Sequence, residues 1–453
     1  MENARPEDGL ERKLGLFPVT NIVIANMIGA GIFTTSGLLM TGLRDPLLLL
    51  ALWAVGGVIA LCGALAYGEL GAAIPRAGGE YAFLSRLFHP LFGFLSGWVS
   101  FFAGFSAPIA ASAIGFSEYL TRAFPGLLSL GAPVGSTEGV LIKKILAITV
   151  ILVFTLIHAR GIEVGAKVQN VLTLLKVFLI VGLIVLGFAL GQGDVGNFSR
   201  GGGFGFDFGG FKTIGLSLMW IMFAYSGWNA SAYIGSEIKN PRRNLPRSLI
   251  LGTGIVLLLY ILMNVFYVYA VPPEEMSGVI SIGGLAVGNL FGPSFESALS
   301  VLIAVALFSS LSAFIILGPR VYYAMARDRC FFPFAGAVHP RYKVPSKSIL
   351  LQGLIAAVLV LFGSFDQILT YMGFSLGLFP ILSVIGVFKI RREGEGEYRM
   401  PGFPVIPLVY ILAGGAILVL GYFERPVESS IALGMALIGI PFYYLFRRSR
   451  RRP

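Results

Sequence analysis

The chain has 453 residues, of which 56% are hydrophobic and only 13% charged, against about 25% charged in an ordinary soluble domain. That balance excludes a water-soluble globular protein and indicates one built into a bilayer. The formal net charge of +11 is no nucleic-acid signature in such a chain, because its basic residues follow the loops between apolar runs.

The opening residues, MENARPEDGLERK, alternate acid and base without a short apolar core or a small-residue cleavage site. They read as a soluble leading segment (1–16) and not as a secretory signal. Apolar runs between charged or Pro/Gly-rich breaks then predict twelve membrane spans. These fall at 17–41, 46–71, 89–121, 139–158, 163–191, 208–236, 245–270, 296–327, 347–364, 367–388, 404–421 and 429–446. The short run at 277–292 is expected as a loop helix against the outer face.

Placed with the N-terminus inside and with residues near span ends counted to the adjoining loop, the inner segments carry 25 Lys and Arg and the outer ones 7, with Lys176 and Arg320 left deeper within spans. The positive-inside rule then puts both termini in the cytoplasm. The tail 447–453, RRSRRRP, forms a basic cluster next to the membrane that can touch anionic lipid.

The first span contains "NIVIANMIGAGIFTTSGLLM" (21–40), with no charge between Lys13 and Arg44 and a Gly29-Ala30-Gly31 centre of poor helix propensity. The sixth, uncharged from Thr213 to Ser236, is interrupted by Ala224-Tyr225-Ser226-Gly227. These two spans are five apart, and five is odd, so two tandem five-helix units must lie oppositely in the membrane. Breaks at matching places in two inverted halves point to a transporter's binding site. Unwinding at 29–31 leaves amide groups at the positive start of a half-helix, which suit a carboxylate. Free carbonyls at the ends of the preceding half-helices suit an ammonium. A site with both ends recognises a zwitterion, and an amino acid is the obvious candidate.

The fifth span holds a lone charge, Lys176, in "VQNVLTLLKVFLIVGLIVLGFAL". A lysine near mid-membrane costs about 2.5–3.5 kcal/mol on insertion scales, so an ammonium turned into the bundle is favoured over one that snorkels. Because burial penalises the charged form of an amine, proton coupling stays open as an alternative. Arg320, close to the basic inner loop, reads as snorkelling or gate packing. The two cysteines, Cys62 and Cys330, suggest neither a disulfide framework nor a metal site.

Several motifs together resemble the amino acid–polyamine–organocation superfamily, and within it most nearly the L-type amino acid transporter family. They are GAGIF (29–33), AYGELGAAIPRAGGEY (66–81), FAYSGWN (223–229), EIKNPRRNLP (237–246) and GPRVYYAMARDRCFF (318–332). The resemblance covers essentially the whole chain. It implies an all-α polytopic fold of the LeuT type: a 5+5 inverted repeat (17–191 and 208–388), two additional helices (404–446), and helices 1 and 6 unwound mid-membrane. By the same resemblance the amides of Ala30 and Gly31, with Gly29 beside them, form the carboxylate site. The carbonyls of Met27, Phe223 and Ser226 form the ammonium site, Phe223 closes over substrate, and Asn229 lies near the pocket. Lys176 stands where sodium-coupled cousins hold a sodium ion, bridging carbonyls near Gly29 and hydroxyls of Ser309 or Ser310. Glu69, Arg76 and Glu237, with Glu80, would form an inner gate of ion pairs. Two departures stand out. Ala30 replaces a serine found in many relatives, and 120–140 lacks the cysteine through which animal relatives bond a partner glycoprotein. No such disulfide-linked partner, and no cofactor or metal, is expected.

A membrane-embedded enzyme would need paired carboxylates, a Ser/His arrangement or metal ligands at depth. His89, His158 and His339 fall at span ends or in loops. A channel would show charged rings or a repeated filter, and neither is visible. No acid sits in the breaks or in FFAGFSAPIAASAIG (101–115) to meet a cationic side chain, and no base besides Lys176 to meet an acidic one. The expectation is therefore a sodium-independent carrier of neutral L-amino acids in the cell membrane, an exchanger before a proton symporter. A sensor that binds without flux is the different-class alternative.

Overall fold

A computed structural model describes residues 12–76, 78–127, 137–160, 163–340 and 344–449. The leading residues 1–11, the end of the basic tail and residues 128–136 of the 120–140 loop therefore lie outside the described residues, as does the Arg320 side chain.

The described residues form helices joined by loops, with an isolated bridge between Leu14 and Ile238. α1 (Leu16–Met27) and α2 (Ala30–Leu43) share the first apolar run. α3 (Pro46–Ala73) starts where Asp45 accepts the Leu48 amide at 2.9 Å and Pro46 needs no donor. A short α4 (Glu80–Leu87) leads to α5 (Pro90–Val99), which passes through a π-helical turn (Ser100–Phe105) into α6 (Ser106–Ala123). α7 (Thr137–Ala159) and α8 (Glu163–Leu190) follow.

α9 (Phe208–Ala224), capped by Asp207, stops well short of the expected 236, and the chain continues in two 3-10 turns, Ala230–Tyr233 and Gly235–Glu237. Gly227 is the reason. Its φ of +98° is closed to ordinary side chains, and a Cβ there would lie 2.8 Å from the Asn26 carbonyl carbon, so two backbones touch. α10 (Pro241–Ala270), α11 (Pro273–Met276), α12 (Ile282–Phe291) and α13 (Pro293–Arg327) come next. α12 is the loop helix expected at 277–292. The chain closes with α14 (Ser346–Phe362), α15 (Phe365–Arg392), α16 (Val405–Glu424) and α17 (Pro426–Ser449).

Among the described residues ten helical stretches are long and apolar enough to cross a membrane, and Phe208–Ala224 and Ser346–Phe362 are shorter apolar helices. Large apolar side chains such as Ile145, Phe178, Leu354 and Leu412 are exposed on the outside of α7, α8, α14 and α16, where lipid would cover them. Inside, each of four spans packs on the one five later: α2 on α9, α3 on α10, α6 on α13, and α7 on α14.

The connection between α15 and α16 crosses one end of the bundle as a strap. Its Glu395 pairs with Arg86 of α4 at 2.7 Å, Glu397 with Arg242 of α10, and Arg399 with Glu69 of α3 at 3.3 Å.

Candidate functional site

The two broken helices meet at mid-bundle. α1 ends at Met27, Ile28 and Gly29 are non-helical, and α2 begins at Ala30 without a side-chain cap. The amides of that first turn therefore point along a positive helix end with no cap to fill them. Opposite, α9 ends at Ala224, and its terminus is so close that a Cβ on Gly31 would fall 2.5 Å from Ala224 Cβ.

Lys176 fills the space beside the first break. Completely buried, its Nζ donates to the carbonyls of Ala25 at 3.1 Å and Ile28 at 2.5 Å, and to Ser310 Oγ at 3.3 Å. Ser310 in turn donates to Ile28 O at 3.3 Å, while Ser309 lies 3.5 Å from Thr173 Oγ1. An ammonium thus sits among carbonyl and hydroxyl oxygens, which is the ligand set of a bound monovalent cation. Burial of this charge is tolerated because it is spent entirely on hydrogen bonds.

Tyr260 of α10 is a site residue that the sequence reading missed. Its hydroxyl reaches Met27 O at 2.6 Å and Ala224 O at 3.2 Å, the last carbonyls of both half-helices. Nothing in its local sequence marks it, since only the fold brings it to residues 233 and 36 positions away. Of the three carbonyls assigned to an ammonium, then, Met27 O is occupied by Tyr260, and Phe223 O accepts the Ser226 amide at 2.8 Å.

A cavity of about 860 Å³ opens beside these breaks. Asn26, Phe223, Ser226 and Asn229 line it, and its mouth carries Tyr81, Glu237, Asp328 and Pro345. Gly29, Ala30 and Gly31 are buried behind that wall and outside its lining, because Gly31 packs directly on Ala224. Beyond the first break α2 is held by Tyr119 through Phe33 O at 2.5 Å, by Tyr267 through Ile32 O at 3.1 Å, and by Ser36 to Asn264 at 2.5 Å. α12 closes over Tyr119 by a bond from the Gly283 amide at 3.0 Å, and Arg122 pairs with Glu296 at 2.5 Å.

Among the described residues no ion pair joins the four residues expected at an inner gate to one another. Glu69, fully buried, accepts two bonds from Arg391 at 2.8 and 2.7 Å, one from Arg399 at 3.3 Å and the Met400 amide at 2.9 Å. Arg76 is exposed, and its backbone carbonyl packs under Gly235. Glu237 is half-buried at the cavity mouth and accepts the amides of Lys13 and Leu14 on its backbone carbonyl, both at 3.0 Å. Glu80 has neutral partners only: Tyr67 at 2.9 Å, Asn229 at 2.6 Å, and Tyr233.

Comparison with known proteins matches residues 14–443 to a family model described as amino acid permease. The chain is 29% identical to the serine/threonine exchanger SteT of Bacillus subtilis, over 98% of this chain and 99% of that one. It is 28% identical to the human b(0,+)-type amino acid transporter 1, over 96% of this chain and 88% of the relative. With the large neutral amino acids transporter small subunit 2 of Mus musculus it shares 25% identity, over 96% and 81% of the two chains.

Proposed function

The chain belongs to the amino acid permease family, as a multi-pass membrane transporter and not an enzyme, and from that premise we propose that it exchanges neutral L-amino acids across the cell membrane without sodium. The observation that carries this reading is the Lys176 ammonium, held by Ala25 O, Ile28 O and Ser310 Oγ. A tethered cation in an oxygen-lined site beside the first break takes the place of a diffusible one, so transport needs no bound sodium. Exchange is favoured over net uptake because a relative covered almost end to end is named an exchanger. Neutral substrates are favoured because Phe223 and Ser226, at the second break, bring no charge to the cavity wall.

In this reading the twelve spans form a LeuT-type pair of inverted five-helix repeats, 17–191 and 208–388, with 404–446 appended. The packing of α2, α3, α6 and α7 on their counterparts five spans later supports it. Gly29, Ala30 and Gly31 receive the substrate carboxylate once α2 and the end of α9 separate, and Met27, Phe223 and Ser226 receive the ammonium. Both termini lie in the cytoplasm, so the cavity faces inward, and the protein works without a disulfide-linked partner. The test is uptake of labelled neutral amino acids into liposomes holding the purified protein, empty or preloaded, with sodium and pH gradients varied separately. Uptake confined to preloaded vesicles and indifferent to sodium is expected. A sodium requirement would overturn the role of Lys176, uptake into empty vesicles driven by protons would make the protein a symporter, and binding without flux would make it a sensor.

A further inference from the structure

We propose that Glu80 makes this cavity select by side-chain charge, turning away amino acids with an acidic side chain. The inference rests on the amino acid exchange proposed above and adds a specificity determinant outside the two helix breaks.

Glu80 is the first residue of α4, only 4% exposed, and part of the cavity wall. Its Oε1 accepts from Tyr67 at 2.9 Å and Asn229 at 2.6 Å, and its Oε2 accepts from Tyr233. All these bonds are donated to it, which is the inventory of an ionised carboxylate. The donors are two phenols and an amide, so they solvate the charge without cancelling it. Among the described residues no Lys or Arg comes within ion-pair distance of it, whereas the equally buried Glu69 has two.

The carboxylate is fixed in place. The Gly78 amide donates to Tyr233 O at 3.1 Å, and Gly79, at φ +54°, presses so close to the Tyr233 ring that a Cβ would fall 2.7 Å from it. The loop before α4 and the segment after the α9 break are thereby interlocked. Among the described residues the cavity wall elsewhere carries Glu237 and Asp328 against Arg327. Acids outnumber bases among these residues, in a cleft with low-dielectric walls where field is focused.

An amino acid moving between Ser226 and the mouth passes Asn229, which is hydrogen-bonded to Glu80. A neutral side chain meets no charge penalty there and a cationic one is attracted, but a second carboxylate is repelled. A merely structural Glu80 would affect all three alike when replaced.

The experiment is competition for exchange of a labelled neutral amino acid in proteoliposomes, using unlabelled lysine and glutamate as opposite-charge probes. The quantity read is the ratio of glutamate to lysine half-inhibitory concentrations within each variant, so any change in overall rate cancels. Glu80→Gln is expected to lower that ratio by about tenfold, and Glu80→Asp to keep it near the wild-type value. An unchanged ratio in Glu80→Gln would overturn the proposal. If Glu80→Gln yields no monodisperse protein, the wild-type ratio decides: glutamate inhibiting as well as lysine would overturn the proposal. Wild-type protein that exchanges no amino acid at all would fail the transport reading itself and remove the basis of this one.

Discussion

The ammonium of Lys176 and the hydroxyl of Ser310 converge on one carbonyl oxygen, that of Ile28, at 2.5 and 3.3 Å. α8 and α13 therefore hold the first helix break from two sides, and the break is a fixed shape instead of a loose end.

Lys176→Ala removes all three of its bonds, leaves the Ile28 carbonyl with the Ser310 hydroxyl alone and takes the ammonium from the Ala25 carbonyl, at about 1–3 kcal/mol for an orphaned group. Exchange is expected to fall to less than about a tenth of wild type. Ser310→Ala deletes one long bond from the ammonium and one to the Ile28 carbonyl, leaves the two carbonyl bonds of Lys176 in place, and should cost a few-fold. Counterflow normalised to reconstituted protein checks both, and full activity in Lys176→Ala would remove its assigned role.

Tyr260→Phe deletes a single oxygen shared by the two half-helix ends. Because the variant leaves the Met27 carbonyl bare in the empty protein, the apparent affinity for a neutral amino acid should tighten by about fivefold, in line with about 1 kcal/mol for one hydrogen bond. Equilibrium binding to detergent-solubilised protein measures it, and unchanged affinity would separate Tyr260 from the substrate.

Gly31→Ala and Gly29→Ala should part company. A Cβ at Gly29 meets Ser310 Oγ at 3.4 Å, an ordinary contact, whereas at Gly31 it would strike both backbone and side chain of Ala224. Overpacking of that kind costs about 1–3 kcal/mol. Thermal unfolding in detergent should show Gly31→Ala lower in Tm by several degrees and Gly29→Ala close to wild type. Equal midpoints would mean that the contact between the broken helices relaxes freely.

Glu69→Gln breaks a buried charge cluster and leaves Arg391, whose side chain is 20% exposed, without its carboxylate. Removal of one partner from a buried pair costs about 3 kcal/mol or more, so the Tm should drop further than for any variant above. Substrate affinity in the surviving folded fraction should hold, because Glu69 lies outside the cavity lining. A loss of affinity without a loss of stability would return Glu69 to a gating role.

How much of this was legible beforehand follows the range of the forces involved. Glycine pairs and a lone lysine in an apolar run are local signals, so Gly29–Gly31, Gly227 and Lys176 stood out from the chain itself. The extent of the second break did not. The run to Ser236 is apolar enough for a helix, and what stops it at Ala224 is the backbone of Asn26, some 200 residues earlier. The same holds for Tyr260 and for the partners of Glu69 and Glu80. An acid in a loop beside the membrane reads as a solvated charge until the fold puts Arg391 against one and Tyr67 and Asn229 against the other. The short helix α4 was likewise invisible, being eight residues between two long apolar runs.

The shared hydroxyl of Tyr260 has one hydrogen and two oxygens within reach. It is nearer Met27, the carbonyl assigned to the substrate's ammonium, with Ala224 held in reserve. On the proposed substrate assignment it serves as a placeholder. While the site is vacant the phenol keeps the Met27 carbonyl from lying bare in a dry interior. When an ammonium takes that carbonyl, the hydroxyl can turn to Ala224 and stay bonded. Arrival and departure then trade one donor for another, so that neither the empty nor the loaded carrier sits in a deep well.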